Sequence, residues 1–426
     1  CSPTVVFAVS CFFQLVRMAM ETVSVRCSIA GGGPAGMMMG LLLARAGVEV
    51  MVLEKHADFL RDFRGDTIHP STLEVMHELG FLEALLKLPH QEAPRINGQF
   101  GDLALTVADF THLKTRCRFI AFMPQWDFLN FLAGRAARYP TFRLRMNAEV
   151  IGLVEEGGRV VGLQVETPDG PLIVRANLII GADGRHSAVR AQAGLRIEEF
   201  GAPMDVLWFR LARRPDDPED PVGRFDTGRI FIMLNRGDYW QCGFVIPKGS
   251  HAQIREQGLM VFREKLAPLA PFMADRVGDL QDWEAIKLLT VQVDRLRQWY
   301  RPGLLCIGDA AHAMSPVGGV GINLAIQDAI AASNLLAASL QRGHVTTEDL
   351  RQVQQRRAWP TRMTQRMQLF LQNRVISRVL RSGGPLSPPL FIRLLAQFPF
   401  LRRIPAHVIG VGFRPEHVNI PDVWLD

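Results

Sequence analysis

Short apolar runs alternate with glycine-rich turns and helical patterns along the chain. Residues 23–30 and 48–53 are predicted strands, and residues 37–46 between them are a predicted helix. Two further apolar runs, at residues 178–180 and 304–307, each precede a glycine-rich turn and read as buried strands. Buried strands that alternate with helices predict an α/β fold built on strand–helix–strand units.

The turn after the first predicted strand carries a nucleotide-binding pattern. It reads Gly31-Gly32-Gly33-Pro34-Ala35-Gly36, which fits G-x-G-x-x-G, and Glu54 stands at the end of the second strand. The glycines permit a tight turn close to a pyrophosphate, and the glutamate can accept hydrogen bonds from ribose hydroxyls. A lone glycine-rich loop is more often only a turn, but here strand, helix and acid all stand where the motif requires them. The pattern predicts a dinucleotide site without distinguishing NAD from FAD.

Two more strand–turn–helix segments lie downstream. The first reads Gly181-Ala182-Asp183-Gly184-Arg185-His186-Ser187-Ala188-Val189-Arg190, and the second runs from Gly308-Asp309 through Pro316 to Asn323. Each would place backbone N–H groups and the positive end of a helix dipole against an electron-rich ligand. A D-G-x-x-S segment by itself is equally well explained as a capped turn before a helix. Three such pieces in one chain narrow the ligand from a nucleotide to FAD.

With the order G-x-G-x-x-G, D-G-x-x-S-x-x-R and G-D-A-A-H, residues 23–340 resemble the FAD-dependent aromatic hydroxylases. These are single-component flavoprotein monooxygenases typified by p-hydroxybenzoate hydroxylase. The resemblance implies a Rossmann-type FAD-binding domain, an interleaved and mainly β substrate domain, and C-terminal helices. It also implies bound FAD and a transient NADH or NADPH.

The resemblance assigns roles to individual residues. Asp309 would hydrogen-bond the ribityl chain, and Arg64 and Gln125 would lie near the cofactor. Asp183, near the pyrophosphate, and Pro316, over the reactive face of the flavin, are the residues assigned to catalysis, with no side-chain acid or base. The predicted cofactor-binding residues are Gly31, Gly33, Pro34, Ala35, Gly36, Glu54, Arg64, Gln125, Asp183, Gly308, Asp309, Pro316, Gly318, Gly319, Val320, Gly321, Ile322 and Asn323.

The chemistry implied by the resemblance is hydroxylation of an aromatic or polycyclic small molecule. NADH or NADPH would reduce the flavin, O2 would add to form a C4a-hydroperoxide, and one oxygen atom would pass to the substrate. The backbone amides of residues 319–323 would stabilise negative charge on the reduced ring. The protein itself would orient the substrate and exclude water.

Three other functions are alternatives, and the sequence argues against the first of them. A flavin-dependent halogenase shares the fold, but the sequence around Trp240 lacks the W-x-W element typical of that class. An FAD-dependent reductase or desaturase of the same fold, acting on a lipophilic substrate, is harder to exclude. A non-catalytic FAD-binding redox sensor is the non-enzyme alternative. Oxygen-dependent product formation would separate a hydroxylase from all three.

Alternating polar and apolar positions in the middle of the chain predict a substrate-binding sheet. Its strands lie at residues 205–211, 229–234 and 238–245, and residues 99–107 are expected to join them. Each candidate lining residue, taken singly, is more often a packing or solvent-facing residue. The candidates are Trp208, Arg210, Met233, Tyr239 and Gln241.

The motifs divide the chain into consecutive regions. In order, these are an N-terminal extension without function (1–20), the FAD-binding domain (21–190, with about 95–120 contributing to the substrate sheet), the substrate domain (191–289), a return to the FAD-binding domain with the flavin-end motif (290–345) and a C-terminal helical region (346–426). The first region has an apolar stretch that is too short to span a bilayer and lacks a basic start.

Composition limits the expected domain count, partners and cellular compartment. The chain has 426 residues and a net charge of +6, which suits two intertwined domains and gives no concentrated nucleic-acid-binding stripe. Its 6 cysteines are scattered, show no metal-binding spacing and fit reduced thiols in a cytoplasm best. The expected partners are a small-molecule substrate and O2. The apolar segment 390–400 favours packing on the protein body or a homodimer interface over a peripheral membrane contact.

Two local predictions concern residues near the motifs. Ser71, with Glu74 three residues on, fits a capping box at the start of a helix that runs toward Gly80. His312, in the third motif, is interpreted as a structural histidine rather than as an acid or base, because a flavin carries the chemistry of such enzymes.

Overall fold

The structure, a computed structural model, describes residues 21–60, 67–219, 221–384, 386 and 388–424. Arg64 and the expected N-terminal extension at 1–20 lie outside the described residues. The strands, in chain order, are β1 (Glu21–Ala30), β2 (Val50–Leu53), β3 (Thr67–Ile68), β4 (Gln91–Ala93), β5 (Arg95–Phe100), β6 (Leu103–Asp109), β7 (Ile120–Phe122), β8 (Phe142–Arg145), β9 (Glu149–Glu156), β10 (Arg159–Thr167), β11 (Gly170–Gly181), β12 (Ile197–Glu199), β13 (Met204–Ala212), β14 (Val222–Asp226), β15 (Arg229–Asn235), β16 (Tyr239–Pro247), β17 (Lys287–Leu289), β18 (Asp294–Leu296), β19 (Tyr300–Arg301) and β20 (Leu304–Cys306).

Helices connect and flank these strands. In chain order they are α1 (Pro34–Arg45), α2 (Pro70–Glu78), α3 (Leu82–Leu85), α4 (Gln125–Ala136), α5 (Ala188–Gln192), α6 (His251–Glu256), α7 (Leu259–Leu266), α8 (Gly321–Gln341), α9 (Thr347–Leu371), α10 (Ser377–Leu380), α11 (Leu390–Gln397) and α12 (Arg403–Gly410). Short 3-10 turns lie between several of them, and a π turn, Gln372–Ile376, joins α9 to α10.

The largest sheet has the strand order β19-β20-β11-β1-β2-β8, with β10 and β9 added beside β11. From β20 to β8 the neighbouring strands run parallel. Every residue of β2 is buried, because parallel strands in such folds are covered on both faces. This explains why the sequence shows continuous apolar runs there. The predicted strand–helix–strand unit is confirmed as β1, α1 and β2, and the sheet and helices together give the predicted α/β fold.

A second sheet has the strand order β17-β13-β16-β15-β14-β5-β6. Its neighbouring strands are antiparallel, except that β14 runs parallel to β5. The strands predicted at 205–211, 229–234 and 238–245 are confirmed as β13, β15 and β16, with ends shifted by one or two residues. Residues 99–107 contribute through β5 and β6. The two smaller sheets are β3-β7-β4 and β12-β18.

Helix α8 forms the centre of the core. The stretch Val317–Gln341, which contains it, is long and apolar enough by composition to cross a membrane, with a mean hydropathy of 1.3, but 83% of that window is buried inside the protein. The helix packs against α1 and β1. Its apolar character therefore belongs to a core helix that joins the flavin-end motif to the first glycine-rich turn.

The C-terminal region begins with a long helical rod. Helix α9 starts at a capping box formed by Thr346 and Asp349 and continues through the π turn into α10. The apolar segment 390–400 packs partly on the protein body, as expected, because Ile392 and Leu395 belong to a buried cluster with Phe100. Other apolar side chains of this segment, such as those of Leu390 and Phe400, are exposed.

The capping box predicted at Ser71 is wrong. Helix α2 begins at Pro70, with His69 at the N-cap and no side-chain cap. The Glu74 carboxylate instead accepts a hydrogen bond from the Arg116 backbone N–H at 3.1 Å. Proline at the first helical position has no N–H to cap and sets the helical φ by itself, so this helix start does not need the serine.

Candidate functional site

The first and second glycine-rich turns are in direct backbone contact. Gly31 N donates to Leu53 O at 2.8 Å, and Ala182 N donates to Ala30 O at 2.8 Å. A Cβ placed on Gly31, whose φ is 103°, would lie 2.4 Å from Ala182 O, so glycine is needed for this approach. The close approach holds Asp183 beside the G-x-G-x-x-G turn.

The third turn packs closely against the first turn and α8. A Cβ placed on Gly308 would lie 3.1 Å from the Cβ of Ala35 and 3.2 Å from that of Ala325. Strands β20, β11 and β1, which lead into the three turns, are adjacent and parallel, so all three turns lie at the same edge of the sheet. The carboxyl edge of a parallel sheet is where such folds bind nucleotides.

The start of α1 is open toward solvent space. Gly33 is the N-cap, no side chain caps the helix, and its first turn contains no acidic residue. A Cβ placed on Gly33 would meet nothing within 4 Å. Backbone N–H groups and the helix dipole at such an end favour an anion, so the pyrophosphate of a dinucleotide fits here.

Glu54 is a buried carboxylate beside the same turn. Its Oε2 accepts a hydrogen bond from Gly32 N at 2.9 Å, and its Oε1 accepts one from His56 N at 3.2 Å. These bonds fix the carboxylate plane at the end of β2. A carboxylate oxygen can accept more than one hydrogen bond, so the arrangement fits a ribose whose hydroxyls donate to it.

The Asp183 side chain organises its own turn. Its Oδ1 accepts from Ser187 Oγ at 2.5 Å and its Oδ2 from Val189 N at 3.2 Å, while Ser187 Oγ accepts from Arg190 N at 2.9 Å. Burial raises the pKa of the Asp183 carboxyl above its ordinary value, and the hydrogen bonds from Ser187 and Val189 oppose that rise. The capped-turn interpretation therefore applies, and the same cap holds the turn against Gly31.

The flavin turn, residues 316–319, is partly exposed between buried Ser315 and buried Val320. Gly318 and Gly319 have φ values of 79° and 63°, a left-handed conformation that favours glycine. Thr67 Oγ1 donates to Gly319 O at 3.0 Å. Helix α8 then begins with no side-chain cap and no acid in its first turn. An exposed turn that leads into an uncapped helix start suits an electron-rich ring edge.

Asn323 presents a donor that lacks a partner. Its Oδ1 accepts from Thr72 Oγ1 at 2.6 Å and from His69 N at 3.2 Å, which fixes the orientation of the amide. Its Nδ2 is buried and has no hydrogen-bond partner among the described residues. A buried, unsatisfied donor costs about 1–3 kcal/mol, so it fits a ligand acceptor such as a flavin carbonyl at the start of α8.

His69 is a buried side chain beside Asn323, and sequence patterns did not indicate it. Its Nδ1 lies 2.7 Å from Ile409 O, and because a carbonyl only accepts, Nδ1 carries the proton. Nε2 is then a bare acceptor, buried and without a partner among the described residues. Burial lowers the pKa of His69 to about 4, which the bond to Ile409 partly opposes. The ring is neutral at pH 7.

The remaining predicted cofactor residues lie at element ends. Asp309 belongs to a 3-10 turn, Gly308–Ala310, directly after β20, and is partly buried. Gln125 is the first residue of α4. The structure thus brings Gly31, Glu54, Asp183 and Gly308 to one edge, and Arg64 lies outside the described residues. Open cradle, buried carboxylate and unpaired amide together fit FAD.

The seven-stranded sheet separates the five candidate substrate residues. Arg210 stacks over the Tyr239 ring at 4.8 Å and pairs in register with Gln241, and Trp208, two residues away, shares their face. Met233 points to the opposite face, where it packs in a buried cluster with Phe209 and Phe231 beneath α7. Met233 therefore does not line the same face of the sheet as the other four candidates.

Arg236, just after β15, was missed by the sequence patterns. Its Nε donates to Gln241 Oε1 at 2.9 Å, and its guanidinium lies 5.6 Å from the centre of the Phe122 ring. This places a cation on the face that carries Trp208. Its only sequence signal is its position immediately after a predicted strand, which many surface arginines share.

Comparison with known proteins gives consistent matches. A family model described as an FAD binding domain matches residues 23–367. The chain is 33% identical over 382 residues to 6-methylpretetramide 4-monooxygenase of Streptomyces rimosus, a match that covers 88% of this chain and 91% of that protein. It is 29% identical over 325 residues to rifampicin monooxygenase of Streptomyces venezuelae, where it covers 73% of this chain but only 64% of the relative.

The solved structures agree with these matches. The OxyS anhydrotetracycline hydroxylase from Streptomyces rimosus superposes with a TM-score of 0.72 at 25% identity, covering 91% of this chain and 76% of that one. The p-nitrophenol 4-monooxygenase PnpA from Pseudomonas putida has a TM-score of 0.70 at 20% identity, covering 92% and 95% of the two chains. The second match shows similarity of fold alone.

Proposed function

This chain belongs to the FAD-dependent aromatic hydroxylases, a family of flavoprotein monooxygenases, and we propose that it hydroxylates a polycyclic phenolic compound with NADH or NADPH and O2. The proposal rests on the relatives, which are named as monooxygenases of 6-methylpretetramide and anhydrotetracycline. A reductase or desaturase is not favoured, because these relatives are monooxygenases.

One observation carries the substrate class. Val317 of the flavin turn belongs to the same apolar cluster as Trp208 and Ile232 of the substrate sheet. A flat apolar ring system that bound at this cluster would therefore contact the Trp208 indole and lie near the flavin turn. Aromatic rings gain about 0.5–1.5 kcal/mol from such stacking beyond their buried area.

Polar groups on the same face suit hydroxyl and carbonyl substituents. Trp208 Nε1 is buried and has no hydrogen-bond partner among the described residues, so it can donate to a substrate oxygen. Arg236, held by Gln241, adds a positive charge that favours a phenolate or a carboxylate. A substrate that carries several oxygens on a fused ring system satisfies both groups.

The roles proposed for the cofactor residues are those that the resemblance implies, and the geometry of the first turn and of Glu54 supports them there. The start of α1 with Gly31, Gly33, Pro34, Ala35 and Gly36 would hold the pyrophosphate, Glu54 the adenosine ribose, and Asp309 the ribityl chain. When bound, FAD supplies the hydride acceptor and the centre at which O2 is activated. Pro316 and the flavin turn would position the ring.

The protein's own contribution is charge stabilisation and exclusion of water. Asn323 Nδ2 and the first N–H groups of α8 would hold negative charge at the ring edge, where a low-dielectric site makes each donor effective. The apolar cluster of Val317, Trp208 and Ile232 keeps water from the place where substrate and flavin would meet. His69, neutral at pH 7, leaves an acceptor rather than a charge close to Asn323.

The division into an FAD-binding and a substrate domain, a cytoplasmic location and a homodimer remain parts of this proposal. Cys27, Cys117, Cys242 and Cys306 are buried free thiols, which supports a reducing compartment.

The decisive experiment supplies polycyclic phenols, quinolones and simple phenols to the FAD-loaded protein. NAD(P)H consumption, peroxide release and product are followed under labelled oxygen gas. We expect a polycyclic phenol to stimulate NAD(P)H oxidation and to yield a product carrying one labelled atom. Label that entered only from water would contradict a monooxygenase mechanism, and a response confined to monocyclic phenols would contradict the substrate class.

A further inference from the structure

Three glutamines on one face of the C-terminal rod bond the segment that carries the flavin turn. Gln365 and Gln368 belong to α9, and Gln372 is the first residue of the π turn. All three side chains are buried. We call them the glutamine ladder, and they lie just beyond or at the end of the match to the FAD binding domain, which stops at residue 367.

Each rung of the ladder meets the segment 313–317. Gln365 Nε2 donates to Ala313 O at 3.2 Å. Gln368 accepts from Ser315 N at 3.2 Å and donates to Ser315 O at 2.9 Å and to Val317 O at 3.0 Å. Gln372 Nε2 donates to Ser315 Oγ at 2.7 Å. Both backbone groups of Ser315 and its side chain are therefore held from one helix.

The ladder does more than ordinary packing requires. Residues 312–316 form no helix or strand of their own, so their buried polar groups depend on outside partners. If packing were the only requirement, an apolar helix face would be buried at a lower free-energy cost, because every buried amide group needs hydrogen-bond partners. The three buried amides of the ladder fix the position and direction of one short backbone segment, which ends at Pro316.

The same rod also reaches the substrate sheet. One and two turns beyond Gln372, Ile376 and Val379 pack in the cluster that contains Trp208 and Val317. The π turn contains residues of both contacts, since it begins at Gln372 and ends at Ile376, and such turns inside helices occur frequently at functional sites. A single rigid element therefore touches both the flavin turn and the face proposed to hold the substrate.

We propose that Gln368 and Gln372 are positioning residues that set the place of Pro316 and Val317 between flavin and substrate. Both act through Ser315, and Gln368 acts also through the Val317 carbonyl. The inference rests on the proposed position of the flavin turn beside the flavin, but not on the identity of the substrate.

The test compares Gln368→Leu, Gln372→Leu and the milder Ser315→Ala with Gln355→Leu, which changes an exposed glutamine of the same helix. In the first three variants we expect FAD to bind within about threefold of wild-type affinity, since the pyrophosphate and ribose contacts are intact. The visible absorption spectrum and midpoint potential of the bound flavin should shift, and peroxide release per NAD(P)H should rise at least about tenfold, as expected for a small misplacement of reacting groups.

The inference would be overturned if Ser315→Ala and the two ladder variants had the same flavin spectra, midpoint potentials and peroxide yields as Gln355→Leu. If Gln372→Leu fails to fold, Ser315→Ala decides for that residue, because it removes the hydroxyl that accepts from Gln372 and leaves the backbone bonds of Gln368 intact. The flavin spectrum and midpoint potential are measured without substrate, so these two measurements test the inference even if the proposed substrate class is wrong. A wild-type protein that binds FAD but hydroxylates no polycyclic phenol would overturn that proposal alone.

Discussion

His312 Nε2 lies 2.5 Å from Asp328 Oδ2 in the interior of the protein. The same carboxylate accepts from Gly308 N at 3.1 Å and from Arg357 Nε at 2.9 Å, and Arg357 also bonds Glu416 at 3.2 Å. The third motif is thus anchored by a buried ion cluster that extends to the C-terminal region. His312 lies in this cluster, in keeping with its structural interpretation.

Replacing Asp328 with asparagine should strongly destabilise the protein. Burial opposes ionisation, but His312 and Arg357 outweigh it and hold the pKa of Asp328 below its ordinary value. Removing the charge leaves Arg357 buried beside a neutral amide, which costs about 3–5 kcal/mol of the free energy of unfolding. Denaturant unfolding at pH 7 measures this loss. The control, Asp169→Asn, removes the partner of Arg145 at a side chain that is 82% exposed and should cost at most about 1 kcal/mol.

Equal effects of Asp328→Asn and Asp169→Asn would show that the cluster does not anchor the third motif. The sign of the pH dependence offers a second check. Because folding depresses the pKa of Asp328, its contribution to stability is complete above the unfolded pKa of about 3.8 and is lost as pH falls below it. Wild-type and Asp328→Asn stabilities should therefore converge in acid.

His69 predicts acid sensitivity at a higher pH. Its pKa falls from 6.5 to about 4 on folding, so the folded state favours the neutral ring. That stability is present above pH 6.5 and is lost as pH falls toward 4, a change of about 3 kcal/mol. His69→Gln, which can still donate to Ile409, should remove this slope when unfolding is measured from pH 8 to 4. Above pH 7 the free energies of unfolding of the wild type and His69→Gln should change in parallel with pH. A variant that keeps the full wild-type slope below pH 6.5 would assign the acid sensitivity to other groups.

Sequence patterns gave more specific predictions for the cofactor half of the candidate site than for the substrate half. Gly31, Asp183 and Gly308 each follow a predicted buried strand, and the resemblance carried by their motifs predicts one shared FAD site. The structure shows that these strands are adjacent and parallel. His69 and Thr72 have no such signal, because they matter through contacts with Asn323 and Ile409, which lie more than two hundred residues away. Met233 was grouped with residues of the opposite face because alternation within each strand is readable, but the registration of facing strands in a sheet is not.

Asp309 should be needed for FAD binding. It is partly buried directly after β20, beside Gly308, where a carboxylate can accept from the ribityl hydroxyls. Asp309→Ala should raise the dissociation constant for FAD by about 10–100-fold, the size expected for lost hydrogen bonds to a charged group. Flavin fluorescence quenching gives the constant. Asp102→Ala, in the exposed turn between β5 and β6, is the matched control and should bind as wild type. Unchanged affinity in Asp309→Ala would remove this residue from the site.

Trp208 and Met233 lie on opposite faces of one sheet. Substitutions at these two residues therefore distinguish an effect on substrate binding from an effect on core packing. Trp208 shares a cluster with Val317 of the flavin turn, whereas Met233 packs with Phe209 and Phe231. Trp208→Leu should raise KM for a polycyclic substrate by about tenfold, through lost stacking and a lost indole donor, without weakening FAD binding. Met233→Leu conserves volume in the core and should leave KM unchanged, at a stability cost below about 1.5 kcal/mol. Steady-state kinetics with a polycyclic phenol decide between them, and a KM effect in Met233→Leu alone would place the substrate on the other face.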